Sequence, residues 1–320
     1  MADKDHGPRI GADPELFVQT IEGTVVPICG KVGGTKENPL VINGLVDGYY
    51  GPEGGRRNRD GRDPLGREGN YAVQEDNVML EFNVPAYKSG SGFGEAISKA
   101  LHVLDASVLA PHGLKCKHDV MHTFKSEDLA PFPQAFTVGC LADMNAYAEN
   151  GVFDPVTQTA SGFERPPFNA THFGNHRFCG GHIHVQYNHG NVPRHVFAQF
   201  MDLVVGLPFI RWDRQKMRRM FYGQPGIYRE KPYGIEYRTP SNFWLSGTFK
   251  DKYLPLLADN VLVLAQTANN DPERLKMAYS KFDWRDIQQA IKTEDAKLAH
   301  EIVDFARGKV GIAMSGMAQR

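Results

Sequence analysis

The stretch Cys179-Gly180-Gly181-His182-Ile183-His184-Val185 sets two imidazoles two residues apart in a β-branched run. On a strand, residues i and i+2 share a face, so His182 and His184 point one way and Ile183 and Val185 the other. Gly180 and Gly181 allow another backbone or a ligand to come close just before the strand. Three further stretches repeat this pattern. In Gln74–Val84, read as one strand, Val78, Leu80, Phe82 and Val84 alternate with Met79, Glu81 and Asn83. In Gly234–Asn242, Glu236 and Arg238 share the face opposite Ile235 and Tyr237. In Ile10–Thr20, entered through a turn at Pro14, Glu15 and Phe17 oppose Leu16 and Val18.

Carboxylates and imidazoles gathered on one face raise one another's pKa values unless a cation lies among them. Oxygen-rich ligation with a minority of imidazole suits Mg²⁺ or Mn²⁺, whereas structural zinc would lean on cysteine. Arg238, with Arg218, Arg219 or Arg229 beside it, would be redundant for metal storage but fits a phosphate held between metal and guanidinium. The glycine loop Gly30–Lys36 adds Lys31 and Lys36 as weak phosphate or carboxylate contacts; it is not a Walker A loop. Plainer readings stand beside these. An isolated His-x-His is more often an exposed strand face, and a lone Glu236–Arg238 pair a surface ion pair. Glu75 and Asp76 read as a turn, with Glu75 a possible extra metal contact. Cys116, His118 and His122 read as loop and core residues, and Cys179 as a small core residue without a base to activate it.

The elements that must position these residues make an α+β protein, one domain over residues 1–320: a sheet with helices on its apolar face and an open polar face. Amphipathic spacing predicts helices over Gly94–Leu109 and Arg194–Val205, the latter with Pro193 at its start. The C-terminal third, 254–307, reads as helices Leu254–Thr267, Trp284–Ile291 and Glu294–Arg307. Phe136–Cys140 is a strand candidate, and Thr24–Cys29 a returning hairpin strand. Gly48–Asn70, dense in Gly, Arg, Asp and Pro, reads as a long flexible loop, disordered or a lid. The 320 residues are 41% hydrophobic and 23% charged with a formal net charge of −1, which argues against a nucleic-acid partner, although Arg211–Arg219 is a local cationic cluster. Apolar runs are too short to span a bilayer, and the N-terminal residues lack a signal-peptide core. Four cysteines without CxxC spacing suit reduced thiols in a cytoplasm.

Gly181-His182-Ile183-His184 followed by Ile235-Glu236-Tyr237-Arg238-Thr239-Pro240 resembles the GxHxH and E-x-R-x-P strands of glutamine synthetase. Across more of the chain, Gly11–Phe17, Asp76–Asn83, Cys179–His184 and Tyr233–Trp244 resemble the phage-type carboxylate–amine ligases of the glutamine synthetase and glutamate–cysteine ligase superfamily. That resemblance implies a curved antiparallel sheet with helices on its convex face, cradling ATP and two or more Mg²⁺ ions. It implies phosphorylation of a substrate carboxylate and attack by an amine to give an amide. By motif position it implies Glu15, Glu81, His182 and Glu236 as metal ligands, His184 near the nucleotide, and Arg238 on phosphate. Glutamine synthetase's N-terminal domain and ammonia latch have no counterpart, so a small molecule, peptide or modified macromolecule fits as acceptor. Two alternatives are a metal-dependent hydrolase using His182 and His184 without nucleotide, and a non-catalytic phage structural or DNA-associated protein.

Overall fold

A computed structural model of the chain describes residues 7–35, 40–41, 72–136, 144–147, 159–160, 163–164, 174–221 and 223–312. The expected loop Gly48–Asn70, Lys36 and most of the strand candidate Phe136–Cys140 lie outside the described residues. Phe136 itself closes a short 3₁₀ turn, Pro133–Phe136.

Strands β1 (Arg9–Ala12) and β2 (Glu15–Thr20) form one line interrupted at Asp13-Pro14, where proline cannot donate to a ladder. The interruption preserves parity. Ile10, Ala12, Leu16 and Val18 all enter the main core, while Phe17 joins a second cluster on the other face. The expected single strand Gln74–Val84 is a hairpin of β3 (Ala72–Asp76) and β4 (Met79–Tyr87). Asn77, at φ 60°, makes the tight turn, a conformation asparagine tolerates better than most residues. β5 (Ile183–Gln186) follows, then a second hairpin of β6 (Ile227–Lys231) and β7 (Gly234–Tyr237) through Pro232-Tyr233. All these pairings are antiparallel.

The β1–β2 line runs between two neighbours. On one side β4 pairs first with β2, Glu15 opposite Glu81, and then with β1, Ala12 opposite Val84. On the other, β5 pairs with β1, Gly11 opposite His184, and the strand Leu114–Lys117 pairs with β2. β7 then pairs with β5, His184 opposite Glu236, and β6 with β7, Arg229 opposite Glu236. Of the expected return Thr24–Cys29, Val25–Val26 is strand, paired with Val18 and Gln19. With its shorter strands the sheet has eleven among the described residues.

Three helices cover the apolar face: α1 (Gly90–Val103), α2 (Arg194–Met201) and α3 (Leu254–Asn270). Phe93, Ile97, Phe197, Phe200, Leu257 and Val261 pack with Ile10, Leu80, Phe82, Ile183, Val185 and Ile235 in one core. Each side chain buried so completely contributes roughly 1.5–3 kcal/mol. The Ser89 hydroxyl caps α1 by accepting from Gly92 N, and Asp259 of α3 accepts from Gly90 N at 2.6 Å. The expected helix Arg194–Val205 is regular only to Met201. It continues as a wide π-helical turn, Asp202–Gly206, which carries a buried aspartate. In the C-terminal third the expected helices Trp284–Ile291 and Glu294–Arg307 are found as Trp284–Thr293 and Ala296–Phe305, but Pro272–Tyr279 was not expected, although Asp271-Pro272 is an N-cap followed by proline at N1.

The opposite face is not open as expected. Phe17, Met79 and Cys179 pack there with Phe124, Leu129 and Ala135, and the polar residues beside them are buried too. Cys116 is buried, and His122 packs edge-on against Phe17 and Phe124 at 5.8 and 4.6 Å, as core residues do. Buried Cys179 lies with its Sγ 3.5 Å from Met79 Sδ, and burial with neighbouring Glu15 pushes its thiol pKa well up, so it is no nucleophile.

Gly181 receives the backbone of Ser241 and the indole of Trp244. A Cβ there would stand 2.2 Å from Ser241 O and 2.3 Å from Trp244 Nε1. Gly181→Ala is therefore expected to destabilise the fold by about 1–3 kcal/mol in denaturant melts. An unchanged midpoint would mean that the Ser241–Trp244 segment can move away.

Candidate active site

Strand alternation gathers the polar residues. Asp13 and Glu15 extend the face of β1–β2, Gln74 and Asp76 lie on β3, and Glu81 and Asn83 on β4. His182 and His184 lie on or just before β5, Glu236 and Arg238 on or just after β7, and Arg229 and Lys231 on β6. Cross-strand register then makes two groups. In one, ligand atoms of Asp13, His184 and Glu236 all lie within 4.8 Å of one another; in the other, those of Glu15, Asp76 and Glu81 do. His182 stands against the first group, its Nδ1 3.4 Å from Asp13 Oδ1 and 3.6 Å from Glu236 Oε1.

Each group is anchored by its neighbours. Glu15 Oε2 accepts from Gly180 N at 2.6 Å, Glu15 N donates to Gly180 O, and Asn242 Nδ2 donates to Glu15 O at 2.8 Å. Gln74 Nε2 donates to Glu81 Oε1 at 2.5 Å. The Tyr233 hydroxyl lies 2.6 Å from His184 Nδ1, and His184 Nε2 lies 2.9 Å from Asp13 Oδ1. Glu236 meets three cations: Arg238 on Oε1, and on Oε2 Lys231 at 3.0 Å and Arg229 at 3.6 Å.

The electrostatics differ between the groups. Burial opposes ionisation of Glu236, but Lys231, Arg229 and Arg238 outweigh it and hold the carboxyl well below its usual range. Burial likewise opposes Asp13, and the two imidazoles still hold it low. Glu15 goes the other way: burial raises it, and Asp76 adds to that against the opposing pull of His182. A buried carboxylate group of this kind is relieved by a proton or a cation. Asp13 Oδ1, His184 Nε2 and Glu236 Oε2 are also buried without an aligned hydrogen bond. These donor sets, five carboxylates and one imidazole, fit hard divalent ions such as Mg²⁺ or Mn²⁺.

Glu15, Glu81, His182, His184, Glu236, Arg229 and Arg238 thus come together on one face. Lys31, Arg218 and Arg219 do not. Lys31 is half-buried on a loop held by Glu75, whose Oε2 accepts from Gly30 N at 3.0 Å. Glu75 faces away from Glu81, so of the Glu75-Asp76 pair it is Asp76 that joins the carboxylates. Arg218, fully buried, donates to Thr239 O and Pro240 O at 2.8 and 2.7 Å. Arg219 donates to Asp213 O and pairs with Asp213 and Glu294. Asp213 in turn accepts from Ser241 N and Oγ. This part of the cationic cluster Arg211–Arg219 is internal and holds the chain just after Arg238. The sequence reading gave no site role to Asp13, Gln74, Lys231 or Tyr233, and read Asp76 as a turn. Parity with Glu15 and with Gln74 was the available signal for Asp13 and Asp76.

On these features the molecule is an α+β protein with a large antiparallel sheet whose buried face carries two ion-competent groups beside a cationic cluster. Residues 169–307 match the family model described as Phage phiEco32-like COOH.NH2 ligase-type 2, which supports the family resemblance carried by the sequence motifs. The match spans His182, His184, Glu236 and Arg238; Asp13, Glu15, Asp76 and Glu81 precede it. No curated protein and no solved structure matches the chain significantly.

Behind the sheet, Tyr237 turns its hydroxyl to Asp202 Oδ1 at 2.6 Å, and Tyr147 donates to Oδ2 at 2.9 Å. Burial pushes the Asp202 carboxyl from 3.8 up to about 6 against these hydrogen bonds. From about pH 4 to pH 6 the folded chain keeps a proton there that the unfolded chain releases, so this group's contribution to stability falls as pH rises. Asp202→Asn lacks that loss. Its stability relative to the wild type is expected to improve by about 2 kcal/mol from roughly pH 4 to pH 7, read from denaturant melts. Parallel profiles would show that Asp202 does not titrate in that window.

Proposed function

We propose that the protein is an ATP- and Mg²⁺-dependent ligase that joins a carboxylate to an amine through an acyl phosphate. The observation that carries this reading is the position of Glu236. It belongs at once to an ion-competent group with Asp13 and His184 and to a cluster of three cations. A divalent ion beside guanidinium and ammonium groups suits a polyphosphate, whose charge needs both. A hydrolase that bound only a metal would have no use for the three cations. The family match supports ligase chemistry and a phage relationship.

In this reading Asp13, His184 and Glu236 hold one divalent ion and Glu15, Asp76 and Glu81 another. Bound there, the ions would neutralise phosphate charge and act as Lewis acids. Arg238, planar and fully buried, steadies the group in transfer. Arg229 and Lys231 extend the cationic surface. Tyr233 orients the His184 ring through Nδ1, as partners of metal-bound histidines do. Next to Tyr233 lies a cavity of about 430 Å³, lined by Gln186, Tyr187, Asn188, His189, Pro232 and Tyr233. Its size, aromatic rings and amides suit a nucleoside. A substrate carboxylate oxygen attacks the γ-phosphorus, the bond to the β-phosphate oxygen breaks, and ADP leaves. The amine nitrogen then attacks the acyl carbon, the bond to phosphate breaks, and phosphate and a proton are released.

Titration calorimetry with a non-hydrolysable ATP analogue tests the reading. Binding is expected with Mg²⁺, to be lost without it, and to be lost in Glu236→Gln. No binding at millimolar analogue would sink the ligase assignment. In screens of acid and amine pairs for phosphate release, Glu81→Gln and Arg238→Lys are each expected to lose about a hundredfold or more. Near-normal rates would place those residues outside the reacting groups.

A further inference from the structure

Glu236 has more cations than one carboxylate can keep. Arg238 occupies Oε1, and Lys231 and Arg229 share Oε2. With Asp13 counted and the imidazoles taken as neutral, two negative charges face three positive ones, a net of +1. A divalent ion bound by Asp13, His184 and Glu236 would raise that net to +3. The Lys231 ammonium already stands at hydrogen-bond distance from an oxygen in that ligand set, so the two cations compete for it.

The three cations are not equally free to yield. Arg238 is buried and also lies 3.4 Å from His182. Arg229 is more distant and partly exposed. Lys231 carries a compact charge on a flexible four-carbon stem. Its backbone is fixed independently of that charge: Arg194 donates to Lys231 O at 3.2 Å and to Gly234 O at 3.1 Å, bracketing the Pro232-Tyr233 turn. The ammonium can therefore change partners while the strand stays in place. The next two residues, Pro232 and Tyr233, line the cavity beside His184.

We propose that Lys231 is an exchangeable counter-ion, which gives up Glu236 to a divalent ion and passes its ammonium to an anionic group of the ligand that follows. That the anion is a phosphate rests on the ligase reading; the exchange itself does not. Ion and anion are then coupled through one side chain, each strengthening the other's binding.

The test uses Lys231→Met in the full chain with two separate probes. Mn²⁺ alone is titrated and the free ion read by electron paramagnetic resonance. Removing the competing ammonium is expected to tighten Mn²⁺ about tenfold. The imido analogue of ATP is then titrated at saturating Mn²⁺, and its affinity is expected to fall about tenfold. Shifts of opposite sign are the signature of exchange: a merely structural lysine would weaken both, and a bystander would move neither. Either of those results overturns the proposal, as does a wild-type chain that fails to bind Mn²⁺. If Lys231→Met does not fold, Lys231→Gln carries the same two expectations. A wild-type chain that binds Mn²⁺ but no analogue would refute the ligase reading, and the Mn²⁺ shift alone would then decide the exchange.

Discussion

Five carboxylates, those of Asp13, Glu15, Asp76, Glu81 and Glu236, lie buried on one face of one antiparallel sheet. An ionised carboxylate taken out of water costs several kcal/mol unless charge or hydrogen bonds replace the lost hydration. Much of the surrounding structure supplies that replacement. Asp13 lies against two imidazoles, Glu15 takes a backbone N–H, Glu81 takes the Gln74 amide, and Glu236 takes three cations. What the protein provides is uneven. The Glu236 side is rich in positive charge, whereas Glu15 is left with its ionised form disfavoured. That asymmetry leaves one part of the face with carboxylates short of counter-charge and, a strand or two away, another part with an excess of positive charge.

Such an arrangement works only if the strands are held from behind. The apolar face does most of this through ordinary packing, but the end of β7 has a second set of ties. Tyr237 and Thr239 approach Asp202 in the π-helical turn, Arg218 holds the carbonyls of Thr239 and Pro240, and Asp213 holds Ser241. Glu236 and Arg238 alternate with these anchored residues. A shift of the strand would break hydrogen bonds on the back before it moved a charge on the front. The chain then crosses Gly181, where Gly181 N donates to Pro240 O and Trp244 Nε1 to Gly181 O. The same segment thus fixes β7 and the entry to β5, and with them both imidazoles.

Period-two alternation was legible because it is a local property. It assigned Glu15, Glu81, His182, His184, Glu236 and Arg238 to a common kind of face, and the register of four separate strands then brought them together. What was hidden depended on interruptions and on distant partners. Pro14 breaks the ladder without breaking parity, so Asp13 looked like part of a turn although it shares the face of Glu15. The Asn77-Val78 turn is short enough to pass for continuous strand, which concealed that Asp76 folds back beside Glu81. β6 has no clean alternation, and its Pro232-Tyr233 turn lacks the usual Asn-Gly signal, so Lys231 and Tyr233 gave no local sign. Arg218 and Arg219 read as candidate phosphate contacts because their actual acceptors are mostly carbonyls and acids distant in sequence. Burial of a guanidinium is a tertiary fact that composition does not carry.

The central line of the sheet also sets an order of events during synthesis. β1 and β2 are made well before β5, which supplies one of the two neighbours of β1 and follows more than 150 residues later. Until that strand emerges, the early chain carries an edge with unmet backbone groups beside Asp13 and Glu15, which have neither imidazole nor guanidinium for company. Pairings of such long sequence separation are slow to form and leave edges exposed meanwhile. The sequence separation that lets one sheet gather these residues is thus also what delays completion of its central line.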